Sequence, residues 1–302
     1  MTTLEIPEEV VRMNLAANGE AGRAWLVSLP ELVDELTDRW SLTLGPAFVG
    51  GAVGFVAPAE RPARERLVLK VSFVDEETRH EPDALRLWDG DGAVRLVDAE
   101  PERGALLLER LEPGTALEDH PDRGEAIAIA CGLLQRLWRP APEPHPFTLV
   151  GDLATRLAEE LPERFDRLDR PFDGDLVRAA VDACRRLADT DEEPVLANRD
   201  FHLGNVLAAE REPWLVIDPK PLVGERAFDT GHLLRTLLPE RHERETLDLT
   251  ADRLASGLDL EPDRIIGWAL VRSVDDALWD LSTGGQDVRW DVRCAGLLVG
   301  AL

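Results

Sequence analysis

Residues 197–207, ANRDFHLGNVL, decide how this chain is read. Asn198, Arg199, Asp200, His202 and Asn205 fall within eight positions, between the apolar pairs Val195-Leu196 and Val206-Leu207. Such pairs suit short strands, so the polar run is a loop held on strand ends. Loops fixed on a rigid scaffold are where binding and catalytic groups concentrate. Folding alone does not require a guanidinium, a carboxylate, an imidazole and two carboxamides in so short a connection.

Asp200 and Asn205 are spaced D-x-x-x-x-N, and Asp218 closes the next short strand, WLVID (214–218). Phosphoryl transfer needs such a set. One carboxylate orients the attacking hydroxyl and accepts its proton, while a carboxamide and a second carboxylate hold magnesium against the nucleotide phosphates. Mg2+ prefers oxygen ligands and takes few from the protein, so one Asn and one Asp suffice. Upstream, residues 40–59 carry no charge but include Gly45, Pro46, Gly50, Gly51, Gly54 and Pro58. That composition reads as strand, glycine turn and strand, and not as a membrane helix. The following strand, RERLVLKVSF (64–73), sets Lys70 among apolar neighbours, where its ammonium can neutralise α- and β-phosphate oxygens. Glu81, and Glu77 one helical turn earlier, can fix that ammonium; Glu81 is preferred as lying deeper in the helix. The turn Gly50-Gly51-Ala52-Val53-Gly54 departs from G-x-G-x-x-G, so a purely steric role for its glycines stays open.

At 302 residues, 44% apolar and 31% charged, the chain has a globular composition and the length of two domains. A formal charge of −25 without a basic patch argues against nucleic acid and suits a cationic partner. Cys131, Cys184 and Cys294 lie far apart in apolar helical surroundings and read as buried reduced thiols of a cytoplasmic protein. The opening MTTLEIPEEVVRMN lacks the basic-then-apolar order of a signal peptide. Among 34 basic residues only Lys70 and Lys220 are lysine, which suggests positions that need a compact ammonium and not a planar fork.

Periodicity divides the chain in two. Residues 1–111 read as a helix over 20–39 broken near Pro30, the glycine hairpin over 40–59, the Lys70 strand, a helix over 75–89 interrupted at Pro82, and strands at 93–97 and 104–111. Residues 112–302 read as helices over 122–138, 149–168 and 175–189, with a proline-rich connection at 140–146. The polar loop with its short strands follows, then about four helical segments from 228 onward. The expected class is α+β, with a small antiparallel β N-terminal half and a larger helical C-terminal half.

NRDFHLGN differs from the protein-kinase catalytic loop H-R-D-L-x-x-x-N only at Asn198 and Phe201. The longer run NVLAAEREPWLVIDPKPLVGERAFDTGHLLR (205–235) resembles the streptomycin 6-phosphotransferase and hydroxyurea kinase branch of the aminoglycoside phosphotransferases. GRAWLVSLPELVDELTDRW (22–40), LRLWDGDGAVRLVD (85–98) and LLLERLEPGTAL (106–117) look like the same branch. The resemblance implies a two-lobed protein-kinase-like fold, with a nucleotide-binding lobe over 1–111 and a lobe carrying catalytic loop and substrate site over 112–302. It implies ATP, Mg2+ and transfer of the γ-phosphoryl group to a hydroxyl of a streptomycin-like aminoglycoside. By position it makes Asp200 the base, Asn205 and Asp218 the magnesium ligands and Lys70 the phosphate-contacting lysine. Backbone groups from Glu109 to Leu111 would meet the adenine, and Asp229 would brace the catalytic loop. Asp218-Pro219 stands where protein kinases have D-F-G, so no activation-loop switch is expected.

Other readings stay open. The acceptor could be hydroxyurea, a sugar or an amino alcohol. A nucleotide-binding module without turnover is a third reading, motivated by Asn198 where the pattern has His; Asn both donates and accepts, so it can replace some of the lost bonds. His202 could position a phosphate or serve structure, and Arg199 reads as a structural ion-pair former. Lys220 could reach a phosphate or pair with Glu225. Asp276 and Asp280 lie one turn apart beside Trp279, as a cationic-substrate site or as a solvated face. The oligomeric state is left open.

Overall fold

The computed structural model describes residues 4–49, 54–62, 64–238, 243–285 and 287–302. The chain divides into two compact units, Met1–Glu112 and Pro113–Leu302. No described helix is long and apolar enough to cross a membrane.

The first unit runs α1 (Glu8–Trp40), β1 (Thr43–Leu44), β2 (Gly54–Arg61), β3 (Glu65–Ser72), α2 (Glu81–Trp88), β4 (Leu96–Glu100) and β5 (Ala105–Glu109). Its strands form one antiparallel sheet in the order β1-β2-β3-β5-β4. Alternate residues of β2, namely Phe55, Ala57 and Ala59, turn inward, and Leu29, Val33, Leu36 and Trp40 of α1 recur at helical spacing in the same core. Each such leucine stabilises the unit by about 1.5–3 kcal/mol when fully buried.

Several sequence expectations for this unit need correction. The leading helix does not break at Pro30; it runs through it and kinks at Gly19, whose φ of 53° and ψ of −124° suit a residue without Cβ. The helix expected over 75–89 begins only at Glu81. Asp75 Oδ1 accepts the backbone N–H groups of Glu77 and Thr78, both at 2.9 Å, and holds a turn before it. Pro82 lies in the first turn of α2, where a missing N–H breaks no helical bond, so it starts the helix instead of interrupting it. The strand expected at 93–97 is β4, shifted to 96–100, because Asp89, Gly90 and Gly92 all take positive φ in a preceding turn. Gly50 and Gly51 lie outside the described residues. Gly54 opens β2 opposite Ser72, where a Cβ would come 2.7 Å from the Ser72 hydroxyl oxygen.

The second unit runs β6 (Pro113–Ala116), α3 (Arg123–Leu137), α4 (Val150–Arg167), α5 (Gly174–Leu187), β7 (Val195–Asn198), β8 (Val206–Ala209), β9 (Trp214–Val216), β10 (Pro221–Gly224), α6 (Ala227–Leu237), α7 (Arg244–Leu258), α8 (Pro262–Ser282) and α9 (Arg289–Val299). Two small antiparallel sheets, β6-β8-β9 and β7-β10, carry the polar loop. The strands β6 and β10 were not expected; each is four residues long and holds a proline and a glycine, which hides any strand period. Helix α6 crosses α8 closely: a Cβ on Gly231 would lie 2.8 Å from the backbone carbonyl carbon of Trp268. That crossing brings the polar residues of both helices to the loop. The three cysteines are buried and free, and burial pushes their thiols up to about 11 or 12.

Candidate active site

The loop is held from behind by Asn198 and Asp229. Asn198 ends β7, pairs in register with Pro221 of β10 and is 1% exposed. Its Oδ1 accepts the backbone N–H groups of Asp200 at 3.0 Å and Lys220 at 2.9 Å, tying the two loop segments together. Its own N–H donates to Asp229 Oδ1 at 2.7 Å, and Trp138 Nε1 donates to Asp229 Oδ2 at 2.8 Å. Burial pushes the Asp229 carboxyl up to about 8 despite those two donors. Asn198 Nδ2 is buried with no hydrogen-bond partner among the described residues.

Asp200 faces cations on both oxygens. His232 Nδ1 lies 3.1 Å and Arg272 3.4 Å from Oδ1, and Lys220 Nζ lies 3.3 Å from Oδ2. Burial alone would raise this carboxyl, but the His232, Lys220 and Arg272 interactions together hold it well below the usual range. The group is therefore ionised at any physiological pH and suited to orienting a hydroxyl. The His232 contact is close enough for electrostatic attraction but off the line of a hydrogen bond.

Asn205 Nδ2 donates to the Asp200 carbonyl at 3.1 Å, which leaves its Oδ1 with no bond among the described residues. Ile217 N–H donates to the Asn205 carbonyl at 2.9 Å, extending the β8-β9 ladder, and Asp218 follows one residue beyond the position opposite Asn205. Asp218 takes φ of 51°, a left-handed conformation that a short polar side chain tolerates. A carboxamide and a carboxylate at the ends of two paired strands are the kind of hard oxygen donors that magnesium takes. Asp200, His202 and His232 can also bring three ligand atoms within 4.8 Å of one another. Arg272 and Lys220 already face the carboxylate, so a divalent cation there would meet two positive charges, and the trio is better described as a carboxylate beside two stacked imidazoles than as a chelate.

Beyond Asp200 lies a chain of ion pairs. Arg235 donates to His232 Nε2 at 3.3 Å and pairs with Asp276 at 2.6 Å and Asp291 at 2.5 Å, with the Trp290 ring 5.0 Å from its guanidinium carbon. Arg272 pairs with Asp276 at 3.0 Å. Asp275 is clamped by Arg164 at 2.6 Å and Arg199 at 2.7 Å, which hold its buried carboxyl low. Asp276 is thus neither on a solvated face nor a bare carboxylate. Asp280 makes no side-chain ion pair among the described residues, and Trp279 beside it is 40% exposed. Lys220 faces Asp200, while Glu225 accepts from Arg264 and from Trp268 Nε1. The His202 ring stacks on His232 with centroids 5.0 Å apart, and its Nδ1 accepts the Gly204 N–H at 3.1 Å.

In the first unit, Lys70 Nζ meets both Glu81 oxygens at 2.7 Å, and the two residues are 7% and 2% exposed. Glu77 lies in the turn before α2, its N–H on Asp75. Glu109 exchanges backbone and side-chain bonds with the Arg95 backbone, whereas the Leu111 backbone makes no hydrogen bond among the described residues. His232, Arg235, Arg272 and Asp275 were missed from sequence. Their only signal was charge on helices that otherwise bury apolar residues, such as His232 between Gly231 and Leu233.

Residues 39–284 match the family described as aminoglycoside/hydroxyurea antibiotic resistance kinase. The streptomycin 6-kinase of Streptomyces glaucescens is 38% identical over 285 residues, covering 93% of this chain and 92% of that protein. The hydroxyurea phosphotransferase of Kitasatospora aureofaciens is 37% identical over 285 residues, covering 93% of this chain and 82% of that protein. A thermostable mutant of aminoglycoside phosphotransferase APH(4)-Ia, solved in ternary complex with AMP-PNP and hygromycin B, aligns with a TM-score of 0.65 at 16% identity, covering 89% of this chain and 97% of that one. At that identity the likeness shows the fold, which is protein-kinase-like.

Proposed function

Because the chain belongs to the aminoglycoside/hydroxyurea antibiotic resistance kinase family, we propose that it transfers the γ-phosphoryl group of ATP to a hydroxyl of a streptomycin-like aminoglycoside. The observation that carries this is Asp200: a carboxylate faced by Lys220 and Arg272 and kept ionised, next to an Asn205 whose Oδ1 has no bond among the described residues. Asp200 aims the acceptor hydroxyl and receives its proton. Asn205 and Asp218 hold Mg2+, which neutralises phosphate charge when bound. Lys70, fixed by Glu81, contacts the α- and β-phosphates, and the Leu111 backbone, which makes no hydrogen bond among the described residues, meets an adenine edge. Asn198, Arg199, His202 and Asp229 keep the loop in shape. A cytoplasmic location, where ATP is available, fits three buried free thiols.

Hydroxyurea is the second acceptor to weigh, since identity to the hydroxyurea phosphotransferase is 37% against 38% to the streptomycin kinase. Asn198 favours turnover over a binding-only module, because its Oδ1 supplies two of the hydrogen bonds that hold Asp200 and Lys220. The test is transfer from γ-labelled ATP to streptomycin, hydroxyurea, simple sugars and amino alcohols. Labelled streptomycin is expected, with kcat falling by about 10²–10⁴-fold in Asp200→Ala. A wild-type protein that binds Mg-ATP but labels no acceptor would overturn the reading.

A further inference from the structure

We propose that His232 is a positioning residue for Asp200, keyed by Arg235 into the tautomer that carries its proton on Nδ1. The proposal rests on Asp200 being the group that orients the acceptor. A guanidinium can only donate, so the 3.3 Å contact from Arg235 means that His232 Nε2 accepts. In the neutral ring the proton is then on Nδ1, the atom 3.1 Å from Asp200 Oδ1. The ring is 8% exposed, and burial, with Arg272 beside it, pulls its pKa down to about 4, so it stays neutral through the working range.

Every group facing the ring fits this assignment. From α6, Arg235 holds Nε2 and is itself held by Asp276 and Asp291. From the loop, His202 stacks on the ring and restricts its tilt, and Asp200 faces Nδ1. From α8, Arg272 shares Asp200 Oδ1 and Asp276. The Nδ1–H is off line with Oδ1 as the structure stands, and a small ring rotation brings it in; catalytic hydrogen bonds commonly tighten only once substrates are bound. His232 thereby supplies a neutral donor that fixes one carboxylate oxygen without adding charge, and the pairs on Arg235 transmit their geometry to the base.

Three variants separate this role from mere packing. His232→Asn keeps an N–H donor at the Nδ1 position, His232→Gln moves it to the Nε2 position, and His232→Ala removes it. With ATP and acceptor saturating, Asn is expected within about threefold of wild-type kcat. Gln and Ala should fall by about 10–100-fold, the loss expected when a hydrogen bond to a charged group goes, with KM for ATP unchanged. Histidine 15N NMR of the wild-type protein should show the Nδ1–H form at His232, and Arg235→Met should release it toward Nε2–H. An Nε2–H form in the wild type, or Asn no better than Ala, overturns the assignment. If the wild type labels no acceptor at all, the kinase reading fails, and the tautomer still decides His232 by itself.

Discussion

Asp229 Oδ1 takes the backbone N–H of Asn198 at 2.7 Å, and Asn198 Oδ1 passes the restraint on to the N–H groups of Asp200 and Lys220. Two side chains thus fix three backbone donors around the proposed base. Asn198→Ala leaves two of those donors without their acceptor, which costs about 1–3 kcal/mol for each that stays buried. The expected outcome is a lower urea midpoint and a kcat reduced by about tenfold or more; a variant with wild-type kcat would show that the loop needs no such tie.

Stability should carry the signature of Asp229. Its carboxyl is pushed up to about 8 in the folded protein, against about 3.9 unfolded. Between those values the native state binds the extra proton, so the Asp229 contribution declines as pH rises from about 4 to 8. Urea midpoints measured from pH 5 to 8 should therefore fall in the wild type relative to Asp229→Asn as pH rises. A constant gap would mean that Asp229 is ionised throughout.

Asp276 and Asp280 should behave differently although they lie one helical turn apart. Removing Asp276 takes a partner from both Arg235 and Arg272, a loss on the order of 3 kcal/mol for partly buried pairs, and kcat should fall with it. Asp280→Asn should leave the melting temperature nearly unchanged and raise KM for streptomycin but not for hydroxyurea, as expected of a carboxylate meeting a cationic acceptor. Equal KM values in wild type and Asp280→Asn would remove Asp280 from the acceptor site.

The Lys70–Glu81 pair allows stability and function to be separated. Lys70→Met strands a buried carboxylate and should cost about 3–5 kcal/mol by chemical denaturation. Lys70→Met combined with Glu81→Leu replaces the pair by apolar groups and should recover most of that loss. Activity should not return in the double variant, because the ammonium is still missing. Phosphoryl transfer in it at wild-type rate would strip Lys70 of its role.

The parts of the site legible in the sequence were those in which polar residues interrupt a strand pattern. Asp200, Asn205 and Asp218 stand out because loops and strand ends have no period in which to hide them. Lys70 was legible as a charge inside an apolar strand, and Glu81 by its distance along the next segment. His232, Arg235 and Arg272 were not, because a helix surface routinely carries such residues and only the α6–α8 crossing shows where they point. The same blindness applied to Asp276, whose arginine partners are 41 and 4 residues away and belong to two helices. In the fold, helix periods were legible, whereas Pro30 misled because α1 runs on through it, and Pro82 misled because it marks the start of α2 and not an interruption.

Lys70 and Lys220 are the two lysines of the chain, and each faces a carboxylate of a proposed functional pair, Glu81 at 2.7 Å and Asp200 at 3.3 Å. Amine-directed chemistry consequently needs no engineered handle here. An activated ester or a reactive nucleotide analogue meets two side-chain amines, each reporting on a different unit. Counting the mass added at each one, with and without nucleotide or acceptor, turns the scarcity of lysine into a footprint of occupancy.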